Sequence, residues 1–199
     1  MQIFDSSDEA AIIDRVLDGD RAAYRTLVER YGPRVYSFCL RRVGSEDEAG
    51  DLAQEVFIRA WKSLRSFRKD QNFASWIFAI AANQVRNTYR TRSSEQKKIE
   101  AAGVQAAVAP GSDPADEVHD SLNAEALRAA VGELPEDMKE SVSLYYFGGL
   151  SIAQAAQALG VGEEAVKSRL FRARNLLRKK LESMQPGASG EVYDNDEVY

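Results

Sequence analysis

Aromatic and basic residues are interleaved along residues 67–92, the stretch whose residue types most clearly suggest a chemical function. Aromatic rings can stack on unpaired bases, and arginines beside them can pair with the phosphates between those bases. The pattern therefore predicts a surface for single-stranded nucleic acid. The alternative is a helical pair with an ordinary core and a solvated basic face. The residues concerned are Phe67, Phe73, Trp76, Phe78 and Tyr89, with Arg68, Lys69, Arg86, Arg90 and Arg92.

Residues suited to catalysis or metal binding are scarce. Cys39 is the only cysteine and His119 the only histidine, so neither a zinc site nor a histidine-based triad can be assembled. Cys39 lies in an apolar run, which predicts a core position rather than a reactive thiol. With no phosphate-binding loop and no nucleophile beside a base, we expect no enzyme activity, no cofactor and no metal.

Cellular location is predicted from three absences in the sequence. The N-terminus has no basic region before an apolar core, so it does not have the pattern of a secretory signal. No apolar run approaches the ~18 residues that a membrane span needs. A single cysteine also excludes a disulfide framework. We expect a cytoplasmic protein without a membrane span.

A helix predicted over residues 46–64 carries a second candidate surface. Its buried stripe follows the i, i+3, i+4 spacing of an amphipathic helix and contains Ala53, Val56, Phe57, Ala60, Trp61 and Leu64. Another face of the same helix groups polar side chains around one bulky apolar residue. An isoleucine exposed among carboxylates predicts a docking face for another protein. This docking face consists of Asp51, Gln54, Glu55 and Ile58.

The C-terminal part has the pattern of a helix-turn-helix. Ser151 can cap a short helix, residues 160–162 form a Gly-Val-Gly turn, and the last helix buries Val166, Leu170, Ala173 and Leu177. The open face of that last helix presents Lys167, Ser168, Phe171 and Arg172 where base edges are normally reached. Further along it, Arg174, Arg178 and Lys179 suit phosphates. The alternative is a helical hairpin that only packs against the rest of the protein and does not bind DNA.

Charge distribution favours DNA although the net charge of −5 does not. Residues 56–98 contain ten Lys and Arg against Asp70 and Glu95, and residues 163–181 contain seven against Glu163 and Glu164. The remaining acids lie at the N-terminus, in the middle and in the C-terminal tail. Two basic patches on an acidic protein predict two DNA contacts with little non-specific binding elsewhere.

The spacing of apolar residues predicts an all-α protein with two helical domains joined by a flexible linker. We expect the first domain at residues 1–92, the linker at 93–121, the second domain at 122–184 and a disordered acidic tail at 185–199. In the first domain, Asp20 and Ser45 are expected helix caps, with Glu48 completing a capping box at Ser45. Gly32-Pro33 is expected to break the chain, so that Pro33 starts a new helix.

Three segments, in order, resemble the signatures of one family. They are DLAQEVFIRAW at 51–61, FASWIFAIAANQVRN at 73–87 and LSIAQAAQALGVGEEAVKSRLFRAR at 150–174. The chain resembles the extracytoplasmic-function (group IV, sigma-70 family) sigma factors of bacterial RNA polymerase over about residues 10–92 and 122–181. One departure is Gly162 at the cap of the last helix, where the family often has Ser or Thr; glycine caps nearly as well.

The resemblance implies partners and a role for each surface. The docking face would bind the clamp helices of the β′ subunit of core polymerase, and the C-terminal domain would lie at the β flap. The linker would thread toward the RNA exit path. The resemblance implies a further partner, an anti-sigma factor that would cover the polymerase-binding surfaces and bury Ile58 and Phe171. The acidic tail could instead regulate in cis by shielding a basic helix.

The resemblance also implies the promoter-reading residues. The loop at 67–73 and the following helix would melt the minus-ten element of promoter DNA, using Arg68, Lys69, Asn72, Trp76, Asn83, Arg86, Asn87 and Arg90. Asn83 would contact a flipped base; the alternatives are a packing amide at Asn83 and a core position for Trp76. The minus-thirty-five element would be read by Lys167, Ser168, Phe171, Arg172, Arg174 and Arg178. The competing function is that of a stand-alone dimeric repressor or activator, which would give the docking face no role.

Overall fold

A computed structural model of the protein describes residues 6–68, 70–101, 127 and 129–184, and that part of the chain is built from helices, turns and loops. The N-terminal bundle contains α1 (Ser6–Leu17), α2 (Arg21–Val43), α3 (Glu46–Ser63) and α4 (Phe73–Ala101), with a 3-10 turn at Leu64–Ser66. The C-terminal bundle contains α5 (Glu136–Val142), α6 (Ile152–Leu159) and α7 (Glu163–Met184). The predicted all-α fold with two helical domains is confirmed. No helix in these ranges is long and apolar enough to cross a membrane.

Several predicted features fall at or beyond the edges of the described residues. Helix α4 continues to Ala101, so it takes up the start of the expected linker. Residues 102–126, the tail at 185–199 and Lys69 lie outside the described part of the chain. The domain limits and the tail therefore stay predictions.

Side-chain caps fix where the helices of the N-terminal bundle begin. The Asp20 carboxylate accepts hydrogen bonds from the backbone N–H groups of Ala22 and Ala23, at 2.9 and 3.1 Å. The Ser45 hydroxyl accepts a longer one, 3.4 Å, from the N–H of Glu48. The predicted capping box is only half formed, because the Glu48 carboxylate accepts a hydrogen bond from Arg92 on α4. Both caps still satisfy N–H groups that have no partner within the helix.

The predicted break at Gly32-Pro33 is wrong. Helix α2 runs without interruption from Arg21 to Val43, with Pro33 inside it. An internal proline loses one backbone hydrogen bond and clashes with the preceding turn, at a cost of about 3 kcal/mol. Burial on both sides of it offsets that cost, because Tyr31, Val35 and Phe38 are all within the core. Tertiary packing therefore outweighs the local signal for a break.

The core of the N-terminal bundle has buried aromatic rings at its centre. Phe38 and Phe78 are inaccessible and pack edge to face, with ring centroids 5.7 Å apart. Cys39 lies beside them on α2 and is also inaccessible. Burial raises the pKa of its thiol to about 12, so the nucleophilic thiolate is absent at neutral pH. The predicted core role of Cys39 is confirmed.

The helix-turn-helix has the geometry that its turn residues predict. The hydroxyl of Ser151 accepts from the N–H of Gln154 at 3.2 Å, and the Gln154 side chain accepts from the N–H of Ser151 at 2.9 Å. This reciprocal pair is a complete capping box for α6. Gly160 ends α6 with φ at +67°, a conformation that glycine adopts at little cost. Helix α7 then follows and packs Val166, Leu170 and Ala173 against the rest of the bundle.

The two bundles pack against each other and share one apolar core. Helix α6 lies along α4, and the π-helical turn Ser143–Phe147 after α5 lies against α2. Leu144 and Leu150 are buried in the same cluster as Phe78 of α4. At Gly148 the bundles leave no room for a side chain, because an added Cβ would lie 2.9 Å from Cε1 of Phe78. The sequence predicted the two bundles but not this contact.

Replacing Gly148 by alanine is expected to lower the free energy of unfolding by about 1–3 kcal/mol, through overpacking. The added methyl carbon would lie 2.7 Å from the backbone oxygen of Leu144 and 2.9 Å from Cε1 of Phe78. Neither neighbour is the free end of a flexible side chain. Thermal denaturation followed by circular dichroism measures the effect. Gly132→Ala, at an exposed helical position, is the control, because the new methyl group there meets no atom within 4 Å; equal melting temperatures for the two variants would contradict the prediction.

Candidate nucleic-acid and protein interfaces

The docking face on α3 has the exposure that its spacing predicts. Asp51, Gln54 and Ile58 are exposed, and Ile58 keeps 46% of its surface accessible. Glu55 is half-buried and holds Arg59 of the next turn in an ion pair of 2.7 Å. The face therefore combines carboxylates with an accessible aliphatic side chain, a combination typical of a protein interface with a basic partner.

Trp61 was predicted to lie in the buried stripe of α3, and this is wrong. Its side chain is 40% exposed and lies one turn beyond Ile58. The ring of Tyr24 packs against it at a centroid distance of 4.9 Å. The Tyr24 hydroxyl donates to the backbone oxygen of Phe57 at 2.6 Å, which holds that ring against the indole. Trp61 thus extends the apolar part of the docking face.

The loop before α4 is held by polar contacts at both ends. Arg68 pairs with Asp70 at 2.7 Å, and both side chains are exposed. Hydrogen bonding from Arg68 lowers the pKa of the Asp70 carboxyl, so the pair is ionised at neutral pH. Asn72 caps α4 by accepting from the N–H of Ser75 at 3.1 Å, and it also accepts from the side chain of Gln154 at 3.2 Å.

The rings near this loop are mostly part of the core. Phe67 and Phe73 are buried, whereas Trp76 is only half-buried and contacts both, at centroid distances of 5.2 and 5.5 Å. Trp76 therefore offers more accessible ring than its two neighbours. A cavity of about 70 Å³ opens between this loop and α1, with Phe67, Asn72 and Glu9 in its wall. It has room for about two water molecules, so a base would need the loop to widen.

Helix α4 brings four predicted polar residues onto one face. Asn83, Asn87 and Arg90 are exposed, and Arg86 is half-buried among them. Arg86 donates to the side-chain oxygen of Asn83 at 2.6 Å and to the carboxylate of Glu140 at 2.7 Å. We call this set, together with Trp76 and the loop residues 67, 68 and 70–72, the aromatic-basic surface. Two of its members, Asn72 and Arg86, are in contact with the C-terminal bundle.

The basic face of α7 is accessible along its length. All six predicted residues are exposed, and Phe171 keeps 59% of its surface accessible. Lys167 pairs with Glu164 at 2.7 Å, and this hydrogen bond raises the pKa of the Lys167 ammonium group. Arg172 donates to the backbone oxygen of Ser168 at 3.3 Å. The six residues are Lys167, Ser168, Phe171, Arg172, Arg174 and Arg178.

Family models match both bundles. The model of sigma-70 region 2 matches residues 27–95, which include the docking face and the aromatic-basic surface. The model of sigma-70 region 4 matches residues 124–177, which include the helix-turn-helix. The order of the two matches along the chain agrees with the order of the two bundles.

Individual relatives match over most of the chain. The sigma-E factor of Escherichia coli strain K12, an ECF RNA polymerase sigma factor, is 32% identical over 183 residues, which cover 88% of this chain and 95% of that protein. The ECF sigma factor SigW of Bacillus subtilis strain 168 is 30% identical, covering 86% and 96%. The solved structure of the sigma factor RpoE with the anti-sigma factor NepR from Bartonella quintana is 26% identical, with a TM-score of 0.63, covering 81% and 98%.

Proposed function

Because this chain belongs to the extracytoplasmic-function sigma factors of the sigma-70 family, we propose that its three surfaces divide the work of promoter recognition. Sigma factors of this kind direct RNA polymerase to promoters and are not enzymes. The docking face contacts core polymerase, the aromatic-basic surface opens the minus-ten element, and the basic face of α7 reads the minus-thirty-five element. The exposure of all six predicted residues on the second helix of a helix-turn-helix carries this proposal.

The docking face binds the clamp helices of the β′ subunit in this proposal. Asp51 and Glu55 supply negative charge for a basic partner surface, while Ile58 and Trp61 supply apolar area at the centre. Aromatic side chains are enriched in the energetically dominant part of protein interfaces. Trp61 therefore joins the four residues expected from the sequence.

At the minus-ten element, a base leaves the duplex and is held by the aromatic-basic surface. Flipping a base out of the stack costs a few kcal/mol, and stacking on a ring returns ~1–3 kcal/mol per base. The half-buried Trp76 keeps part of its ring accessible for that stacking, and the Asn83 amide provides both a donor and an acceptor for a base edge. The exposed Asn87 and Arg90 further along α4 suit the sugar-phosphate backbone.

At the minus-thirty-five element, the N-terminal half of α7 enters the major groove. Lys167 and Arg172 are long donors suited to guanine, and Phe171 suits the methyl group of thymine. Arg174 and Arg178 lie further along the helix and bind phosphates. The C-terminal bundle also lies at the β flap of polymerase in this proposal, and the chain works in the cytoplasm.

An anti-sigma factor is a further proposed partner. The related RpoE structure contains the anti-sigma factor NepR. In this chain, the apolar residues Ile58 and Phe171 stay accessible at 46% and 59% and suit burial by such an inhibitor.

Asn83→Ala is expected to lower the amount of open promoter complex about tenfold, because two hydrogen bonds to a flipped base are worth about 1–3 kcal/mol. Asn83 is exposed, so protein stability should change by less than about 0.5 kcal/mol. Fluorescence of 2-aminopurine in the non-template strand measures opening by the holoenzyme. Gln157→Ala, at an exposed amide on α6, is the control. Equal opening by both variants would show that the Asn83 amide does not contact the flipped base.

The proposed function is tested by gel filtration of the chain with bacterial core RNA polymerase. We expect a stoichiometric complex with polymerase and, in sedimentation, a monomer of the free chain. Failure to co-elute, together with a stable dimer that protects a palindromic DNA site, would instead establish the stand-alone repressor function.

A further inference from the structure

We propose that the cavity between α1 and the loop before α4 is a second base site, in which Glu9 selects cytosine. The site takes a base of the opened minus-ten element next to the one held by Trp76 and Asn83, so its ligand rests on the proposed function. Glu9 precedes the residues that match the family model of region 2, which begin at residue 27. That match therefore assigns Glu9 no role.

Glu9 is a carboxylate that α2 holds inside the protein. Only 8% of the residue is exposed, and it lines the cavity. The hydroxyl of Tyr31 donates to Oε1, and Nη1 of Arg30 lies 3.5 Å from the same oxygen. Burial and the hydrogen bond to Glu9 raise the pKa of Tyr31, so its hydroxyl stays protonated and remains a donor. These contacts fix the position of the carboxylate.

One oxygen of the Glu9 carboxylate is available to a ligand. Both contacts described above are to Oε1, and no residue that the structure describes donates a hydrogen bond to Oε2. An ionised carboxylate oxygen only accepts hydrogen bonds. The amino groups of cytosine and adenine can donate to it, whereas thymine presents a carbonyl oxygen at the same place and would be repelled. Glu9 therefore favours a base with an amino group.

Asn72 supplies the opposite kind of polar group on the loop side of the cavity. Its side-chain oxygen accepts from the N–H of Ser75 at 3.1 Å and from the side chain of Gln154 at 3.2 Å. The amide nitrogen is therefore the atom that can serve a ligand, and it only donates. An acceptor from Glu9 and a donor from Asn72 match the edge of cytosine, which carries one amino group beside ring acceptors.

The volume and the walls of the cavity favour a single ring. Phe67 and Phe73 line it with rings whose centroids are 5.6 Å apart, and Ala10 and Ile13 line it on α1. Its volume is about 70 Å³, whereas an engineered cavity of ~150 Å³ holds benzene. A pyrimidine thus needs less widening than adenine does. No hydrogen bond joins α1 to this loop within the described residues, so widening breaks none between them.

The test is run-off transcription by core polymerase and the full chain on a library in which the minus-ten block of a chain-dependent promoter is randomised. A barcode downstream of the start site identifies the transcribed templates. At a position next to the one read by Asn83, the wild type should prefer cytosine over thymine about tenfold, within the range for one specific base contact. Glu9→Gln should bring the two bases within about twofold, because its amide can also donate to the thymine carbonyl oxygen.

Two further variants separate base reading from a structural role of Glu9. Glu29→Gln makes the same change at an exposed position of α2 and should keep the wild-type preference at every position. Tyr31→Phe removes the hydrogen bond to Oε1 but leaves the carboxylate, so it should also keep the preference for cytosine. An unchanged preference in Glu9→Gln would overturn the base site, and so would an equal loss in Tyr31→Phe.

A second measurement needs no variant of the protein. The cytosine at that position of the non-template strand is replaced by 2-pyrimidinone, which lacks the amino group. Opening by the wild-type holoenzyme, followed with 2-aminopurine nearby, should fall about tenfold. Equal opening with the two bases would overturn the role of Glu9. The absence of any chain-dependent transcript is a different result, which would overturn the proposed function on which the base site rests.

Discussion

A chain carrying Asp51→Arg and Glu55→Arg is expected to lose at least about 100-fold of its promoter-dependent transcription. The two substitutions place positive charge at the centre of the docking face, opposite a partner surface that we propose to be basic. Like charges brought together in an interface cost several kcal/mol, and each 1.4 kcal/mol is a factor of ten in affinity. Asp51 is exposed and Glu55 half-buried, so the fold should tolerate both changes. Multi-round transcription at limiting chain concentration measures the loss.

The control for this result is Asp18→Arg/Glu29→Arg. It makes the same change of charge at two exposed positions of the N-terminal bundle outside the docking face. Its transcription should remain within about twofold of the wild type. A docking-face variant as active as this control would contradict the proposed polymerase contact, and so would a control as inactive as the docking-face variant.

Lys167→Ala/Arg172→Ala should reduce transcription from promoters with a minus-thirty-five element by about 30-fold or more. Each bidentate contact to a base is worth about 1–3 kcal/mol of discrimination, and the double variant removes two long donors from the exposed half of α7. Stability should change by no more than about 0.5 kcal/mol, since both residues are exposed. Multi-round transcription measures the loss, and holoenzyme affinity for promoter DNA over a range of salt concentrations shows that it arises from DNA binding.

Lys179→Ala separates base reading from phosphate binding. Lys179 is also exposed on α7, but lies toward the end that suits phosphates. It should weaken binding to matched and mismatched sites alike, with a salt slope lower by about one. The Lys167/Arg172 variant should instead lose preference for its own site. If both variants lost affinity equally for all DNA sequences, the face of α7 would contact DNA without sequence specificity.

Local sequence patterns predict most of the helices because their signals agree with the packing. Apolar spacing places Val166, Leu170 and Ala173 inside and Phe171 outside, and Ser151 and Gly160 mark the ends of α6. Where tertiary contacts decide, the pattern fails. Pro33 stays within α2 because the core holds both flanking segments. Trp61 fits the buried stripe by spacing alone, yet its side chain stays 40% exposed.

The contact between the two bundles was beyond sequence reasoning for a different reason. Arg42 and Glu136 are 94 residues apart in the chain, and each has the appearance of an ordinary charged surface residue. Arg34 donates to the backbone carbonyl oxygens of Gly148 and Gly149, and a backbone carbonyl leaves no signature in the sequence. Arg86 was predicted for DNA, and its contact with Glu140 depends on how one bundle lies on the other. Contacts between bundles carry no periodicity that a sequence pattern can reveal.

Run-off transcription on a pool of bacterial genomic fragments, with core RNA polymerase and the purified chain, tests the central claim most directly. We predict transcripts that require the chain, whose start sites lie downstream of two shared sequence blocks at minus-ten and minus-thirty-five. Both the docking-face variant and the Lys167/Arg172 variant should abolish them. The account is contradicted if no chain-dependent transcript appears while fragments are still retained through Lys167 and Arg172, the behaviour of a repressor.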